Sequence, residues 1–213
     1  MNIKIKRWEV LKKYIKYIIL IICLIIFSII AVNVYLNRDM CIDSAVYNFI
    51  SKYFINDNMT NVMKFITWFG GPIGIALIGI ISVLKNRKII ISMPICLVLG
   101  TILNNIVKVI FARERPSINP LAVETSYSFP SGHSMMSMIL YGYLIYLIYD
   151  CIKNKKIKWI YISILSILIL AIGFSRIYLG VHYTSDVIGG FTFGIAYLII
   201  FIEIIKNKKI KWI

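Results

Sequence analysis

Acidic side chains are scarce in this chain: nine Asp and Glu stand against 24 Lys and Arg in 213 residues, and there are only two histidines, His133 and His182. So few carboxylates and imidazoles leave no surplus cluster for Zn²⁺ or Mg²⁺, because such centres gather several His, Cys, Asp or Glu ligands. Cysteine is sparse too. Cys23, Cys41, Cys96 and Cys151 fall in different apolar runs or on opposite sides of them, which excludes a metal motif, a disulfide framework and redox chemistry. Regular apolar/polar alternation over segments of about ten residues is also missing, and with it the signature of a transmembrane barrel. Nor is there room between the apolar runs for a separate soluble domain.

What is abundant is hydrocarbon. Hydrophobic residues make up 60% of the chain and the mean hydropathy is +0.83, beyond the range of ordinary soluble domains. A helical span takes about 20 mainly apolar residues, and six runs qualify: 17–36, 65–84, 89–107, 131–149, 159–174 and 187–205. The sequence therefore predicts an all-α, polytopic membrane protein, a bundle of six transmembrane helices forming one membrane-embedded domain over residues 1–213. The first run is longer than a signal-peptide core and no A-x-A-like site follows it, so it reads as a retained anchor.

The net charge of +15 raises the question of nucleic acid, and the placement of the cations answers it. Seventeen of the 24 Lys and Arg lie in four segments: the N-terminus, "KNRK" at 85–88, "KNKKIK" at 153–158 and "KNKKIK" at 206–211. With six spans these segments share one side, which the positive-inside rule makes the cytoplasm, with both termini there. The repeated octapeptide "KNKKIKWI" (153 and 206) reads as a topology signal with an interfacial Trp, and no nucleic-acid partner is expected. On the opposite side, residues 37–64 carry Ile42, Val46, Phe49, Ile50, Tyr53 and Phe54 at helical spacing, which predicts an amphipathic helix at the interface.

The other two outer connections, 108–130 and 175–186, gather polar groups that neither topology nor packing requires. In "KVIFARERP" the cations Lys108 and Arg115 are seven residues apart, close to two helical turns, so a continued helix would place both on one face. In "SFPSGHS" the residues Ser128, Pro130 and Ser131 are helix-start signals ahead of the fourth span. A helix start offers unpaired N–H groups to an anion, and Gly132 leaves that backbone accessible. In "SRIYLGVHYTSD" Arg176 precedes His182 and Asp186, whose spacing of four puts them on one helical face. A carboxylate so placed fixes an imidazole's tautomer and raises its basicity. Taken singly, an Arg or Lys near a span's end is an ordinary snorkelling anchor. Together, both histidines and Lys108, Arg113, Arg115 and Arg176 sit in two outer loops, and independent anchors have no reason to cluster so.

These three segments fit KxxxxxxRP (108–116), PSGH (130–133) and SRxxxxxHxxxD (175–186), and in that order they resemble the type 2 phosphatidic acid phosphatase superfamily, in its membrane lipid phosphatase branch. The resemblance implies roles that these side chains can perform. His182 would attack phosphorus with Asp186 orienting it, and His133 would protonate the leaving oxygen and later activate water. Lys108, Arg115, Arg176, the Ser131 hydroxyl and the Gly132 N–H would hold the phosphoryl oxygens, where phosphoryl transfer needs most help. Three cations supply the countercharge, so no metal or other cofactor is expected. The partner implied is a membrane lipid phosphate reached from the bilayer: undecaprenyl pyrophosphate, phosphatidylglycerol phosphate or phosphatidic acid. The expected location is the cell membrane, with the site on the extracytoplasmic side. A lipid phosphotransferase built on the same site and a small anion transporter stand as alternatives. The spans carry little polar lining beyond Asn104, Asn105 and Glu203, which weighs against transport.

Overall fold

The structure, a computed structural model, describes residues 2–85, 89–117 and 120–207, with side chains from Tyr14 to Lys206 among them. Residues 86–88 of the second basic segment and residues 208–211 of the last one, with most of the second "KNKKIKWI", lie outside the described residues. The described chain is helical throughout: α1 Asn2–Tyr35, α2 Cys41–Tyr53, α3 Asp57–Trp68, α4 Pro72–Lys85, α5 Ser92–Phe111, α6 Gly132–Cys151, α7 Lys155–Tyr178 and α8 Thr184–Asn207. Helices α1, α5, α6, α7 and α8 are each long and apolar enough to cross a membrane. A sixth crossing is made if α3 and α4, bent by 50° at their junction, count as one span.

That junction departs from the continuous helix expected over 65–84. Pro72 has no N–H to give and its ring clashes with the carbonyl four residues back, so α3 cannot run through it. The chain then folds back so tightly that a Cβ on Gly74 would lie 2.2 Å from the Trp68 carbonyl oxygen, an approach only glycine permits. The Tyr141 hydroxyl of α6 donates to the Phe69 carbonyl at 2.8 Å and ties the break to the centre of the bundle. The break thereby passes along His133, with the Cβ position of Gly71 3.4 Å from His133 Nε2.

Helix α6 is the central post, flanked by α5, α7, α8 and the start of α4. Its Met135, Ile139, Leu140, Tyr141 and Tyr143 are buried among those neighbours. Ser131 caps it, accepting from the Ser134 N–H at 3.4 Å. The backbone of α8 lies directly on this helix start: a Cβ on Gly190 would come within 2.7 Å of the Ser131 carbonyl oxygen. Contact at that distance fixes the start of α8 against the start of α6, and the Ser131 N–H donates to the Asp186 carbonyl at 3.0 Å. Two sequence segments separated by some fifty residues are thus locked together at one end of the bundle.

At the same end lies α2, the amphipathic helix expected from its stripe. Only part of that stripe turns inward: Val46 and Ile50 pack on α7 and α8 residues, whereas Ile42, Phe49 and Tyr53 stay exposed. The polar Asp43 is buried instead. Helices α4 and α5 touch each other little and leave a groove between them.

Candidate active site

His182 stands in the short turn between α7 and α8, made possible by Gly180 at φ 66°. Helix α8 begins only at Thr184, so His182 and Asp186 meet across a helix start rather than along one helical face. His182 Nδ1 lies 3.4 Å from Asp186 Oδ2 and 3.3 Å from Ser128 Oγ. The Ser128 hydroxyl donates to the same carboxylate oxygen, which also accepts the Tyr183 N–H at 2.9 Å. Asp186 is fully buried and His182 nearly so. Burial pushes the His182 imidazole down to about 4; the contact with Asp186 pulls it up, and Arg115 and Arg176 push it further down. The ring is therefore neutral at pH 7, with Nδ1 turned to Asp186 and the Nε2 lone pair on the other side. Arg115 Nη1 is 3.2 Å from that Nε2.

The cations converge, but not as helical spacing suggests. Helix α5 stops at Phe111 because Ala112 adopts the left-handed conformation, φ 41°, with its N–H on the Lys108 carbonyl at 2.9 Å. Lys108 sits in the last turn, while Arg115 reaches the same place from the loop beyond. A single loop stretch, Glu124 to Ser128, accepts from all three cations. Lys108 Nζ donates to the Tyr127 carbonyl and, at 3.5 Å, to that of Ser128. Arg115 donates to the Ser126 carbonyl at 2.6 Å and hydroxyl at 3.1 Å, and also to the Val181 carbonyl at 2.7 Å. Arg176, buried at the end of α7, donates to Thr67 Oγ1 at 2.7 Å and pairs with the Glu124 carboxylate. Its Nε is buried with no acceptor among the described residues. Burial lowers the Arg115 guanidinium as well, although arginine stays charged at any pH of interest.

Gly132 and His133 open onto a cavity of about 860 Å³. Its upper wall holds Lys108, Glu124, Ser126, Asn104 and Asn105, and it continues between α4 and α5 along Ile75, Gly79, Val83, Leu97 and Val98. A second cavity, of about 670 Å³, shares Asn105, Lys108, Glu124 and Ser126 with it and adds Arg113, Arg115 and Tyr127. Polar head and apolar groove are thus continuous. Ser131, fully buried as a helix cap, lines neither cavity, and nor do the buried Arg176, His182 and Asp186. Among the described residues no group of three or more His, Cys, Asp or Glu is placed to hold a metal ion.

Four residues shape this site in ways that sequence reasoning did not anticipate. Glu124 pairs with Arg176 and lies 3.9 Å from an Arg115 nitrogen. Arg113, noted only as one of the clustered cations, donates to Asp186 Oδ1 at 2.6 Å and to Asp43 Oδ2 at 2.9 Å. Ser128 was read as a helix-start signal and instead joins His182 to Asp186. Asp43 reaches the site from α2, some seventy residues before Arg113. A carboxylate on the otherwise apolar-patterned start of α2 was the one available signal, and spacing gives no means of pairing it.

A family model described as the PAP2 superfamily matches residues 89–210. Phosphatidylglycerophosphatase B of Bacillus subtilis (strain 168) is 33% identical over 195 residues, covering 87% of this chain and 93% of that protein. Undecaprenyl-diphosphatase of Sulfolobus acidocaldarius is 30% identical over 155 residues, 68% of this chain and 71% of that protein. The crystal structure of a transmembrane PAP2-type phosphatidylglycerolphosphate phosphatase from Bacillus subtilis superposes with a TM-score of 0.75 at 26% identity, covering 90% of this chain and 98% of that one.

Proposed function

The chain belongs to the PAP2 superfamily, and from that premise we propose that this multi-pass membrane protein hydrolyses a lipid phosphate at the extracytoplasmic face of the cell membrane, with His182 as nucleophile. His182 Nε2 attacks phosphorus, the bond from phosphorus to the lipid oxygen breaks, and His133 protonates that oxygen. Water deprotonated by His133 then attacks the phosphohistidine, and inorganic phosphate leaves with His182 restored. Lys108, Arg115, Arg176 and the Gly132 N–H bind the equatorial oxygens. Ser131 serves that binding by capping the helix start that presents Gly132 and His133.

The observation that carries this reading is a cavity of about 860 Å³ in which Lys108, Gly132 and His133 stand at the head of an apolar groove, with Arg115 on a second cavity that shares Lys108. A soluble phosphate ester has no use for such a groove, whereas a lipid tail fills it while its phosphate reaches the cations. The relative covered over most of its length bears a name that sets phosphatidylglycerophosphate ahead of polyprenyl diphosphate as the first substrate to assay.

The test is phosphate release by purified protein in EDTA from phosphatidylglycerol phosphate, phosphatidic acid and undecaprenyl pyrophosphate. His133→Ala is expected to lose about 10²- to 10⁴-fold, the usual worth of a general acid–base, and His182→Ala at least as much. A His182→Ala protein as fast as its parent, or activity lost in EDTA and restored by Mg²⁺, would refute the mechanism.

A further inference from the structure

Resting on that reading, we propose that Arg113 and Asp43 are positioning residues for the nucleophile, Arg113 holding Asp186 and Asp43 holding Arg113. The two oxygens of Asp186 have separate duties. Oδ2 faces His182, Ser128 and the Tyr183 N–H, while Oδ1 accepts from Arg113 Nη1 at 2.6 Å. Arg113 is the one guanidinium paired with Asp186 among the described residues, and a fully buried carboxylate that lost it would be an uncompensated charge that turns or takes up a proton in relief. Either response changes what His182 Nδ1 sees.

Arg113 is itself fixed from several sides. Its Nη1 donates to Ser185 Oγ at 2.8 Å, its Nη2 to Asp43 Oδ2 at 2.9 Å, and its guanidinium lies 4.0 Å from the centre of the Tyr183 ring. Asp43 in turn accepts the Ser185 N–H and hydroxyl, each at 2.7 Å. One cation thus sits between two carboxylates, all four of whose oxygens accept a hydrogen bond, and the chain of contacts runs from α2 to the imidazole. Because Arg113 forks to Asp43 and Asp186 with different nitrogens, a lysine keeps the charge but not the fork.

A merely structural role, pinning α2 to the start of α8, predicts lower protein yield and equal loss of activity whatever stands at 186. A positioning role predicts coupling. Arg113→Ala is expected to lower kcat on the order of tenfold or more, the scale for removing an outer partner of a functional group, with KM changed less than about twofold. Arg113→Lys recovers part of that loss and Asp43→Asn causes a smaller one. In an Asp186→Asn background, Arg113→Ala should cost little more.

Nitrogen-15 NMR of histidine-labelled protein gives a readout independent of turnover. With two histidines, and His133→Asn to assign them, the parent should show His182 as one tautomer protonated at Nδ1, and Arg113→Ala a mixture. Equal losses in both backgrounds, or an unchanged His182 signal in Arg113→Ala, overturns the proposal. A parent protein that releases no phosphate sinks the phosphatase reading instead, and the NMR comparison still decides the positioning role.

Discussion

Replacing Glu124 by Gln should make the protein bind phosphate more tightly. In the structure the Glu124 carboxylate pairs with Arg176 and stands 3.9 Å from an Arg115 nitrogen, so two of the three cations proposed to bind phosphate face an internal anion. A phosphoryl group has to draw those guanidiniums away from it. Glu124 is 26% exposed and Arg176 2%, which places their pair between the surface and buried cases. Surface pairs are worth up to about 1 kcal/mol and breaking buried ones costs about 3–5, so a competing pair of about 1–2 kcal/mol is reasonable. At about 1.4 kcal/mol per tenfold, the Ki of inorganic phosphate as product inhibitor should fall about five- to thirtyfold in Glu124→Gln. Removing a like charge beside the phosphoryl group acts in the same direction, while glutamine still offers Arg176 a carbonyl. The assay is inhibition of lipid phosphate hydrolysis by inorganic phosphate at fixed substrate mole fraction. A Ki that stays put or rises would show that Glu124 does not compete for the cations, and the reasoning would fail.

Two further outcomes follow from the geometry. Because burial holds His182 down to about 4, below the ordinary imidazole value of about 6.5, the folded protein refuses a proton that the unfolded chain accepts. Stability from this group is complete above about pH 6.5 and is lost as pH falls toward 4, by at most about 1.4 kcal/mol per unit. Nitrogen-15 NMR titration of His182 should find its midpoint well below 6.5, and a midpoint at or above 6.5 would contradict the burial argument. For orientation, Ser117→Cys in a protein stripped of native cysteines should react with an impermeant thiol reagent added outside intact cells. Protection there, with labelling of a cysteine at Lys155, would invert the proposed topology.

The bundle and the candidate site were largely legible in the sequence, for two different physical reasons. Hydrocarbon thickness forces long apolar runs, so five spans could be read directly. The chemistry needs fixed residue types at fixed spacing, so Lys108, Arg115, His133, Arg176, His182 and Asp186 stood out. The α3–α4 break was written as "FGGPIG" and was hidden by averaging hydropathy over a window, although Gly-Gly-Pro is a strong breaker. Extending α5 to Arg115 failed because a left-handed Ala112 carries no sequence mark of the kind glycine gives. Asp43, Arg113 and Glu124 take their meaning from partners 52 to 73 residues away, a separation at which no periodicity connects them.

The loosely joined α4 and α5 have a kinetic consequence. Ile80, Val98 and Ile102 line their groove and are about half exposed on the flank of the bundle, so a diffusing amphiphile can slip in edgewise without ever passing through water. Its search is two-dimensional, and turnover should follow how crowded the surrounding sheet of lipid is with substrate, whatever volume of buffer the sheet floats in.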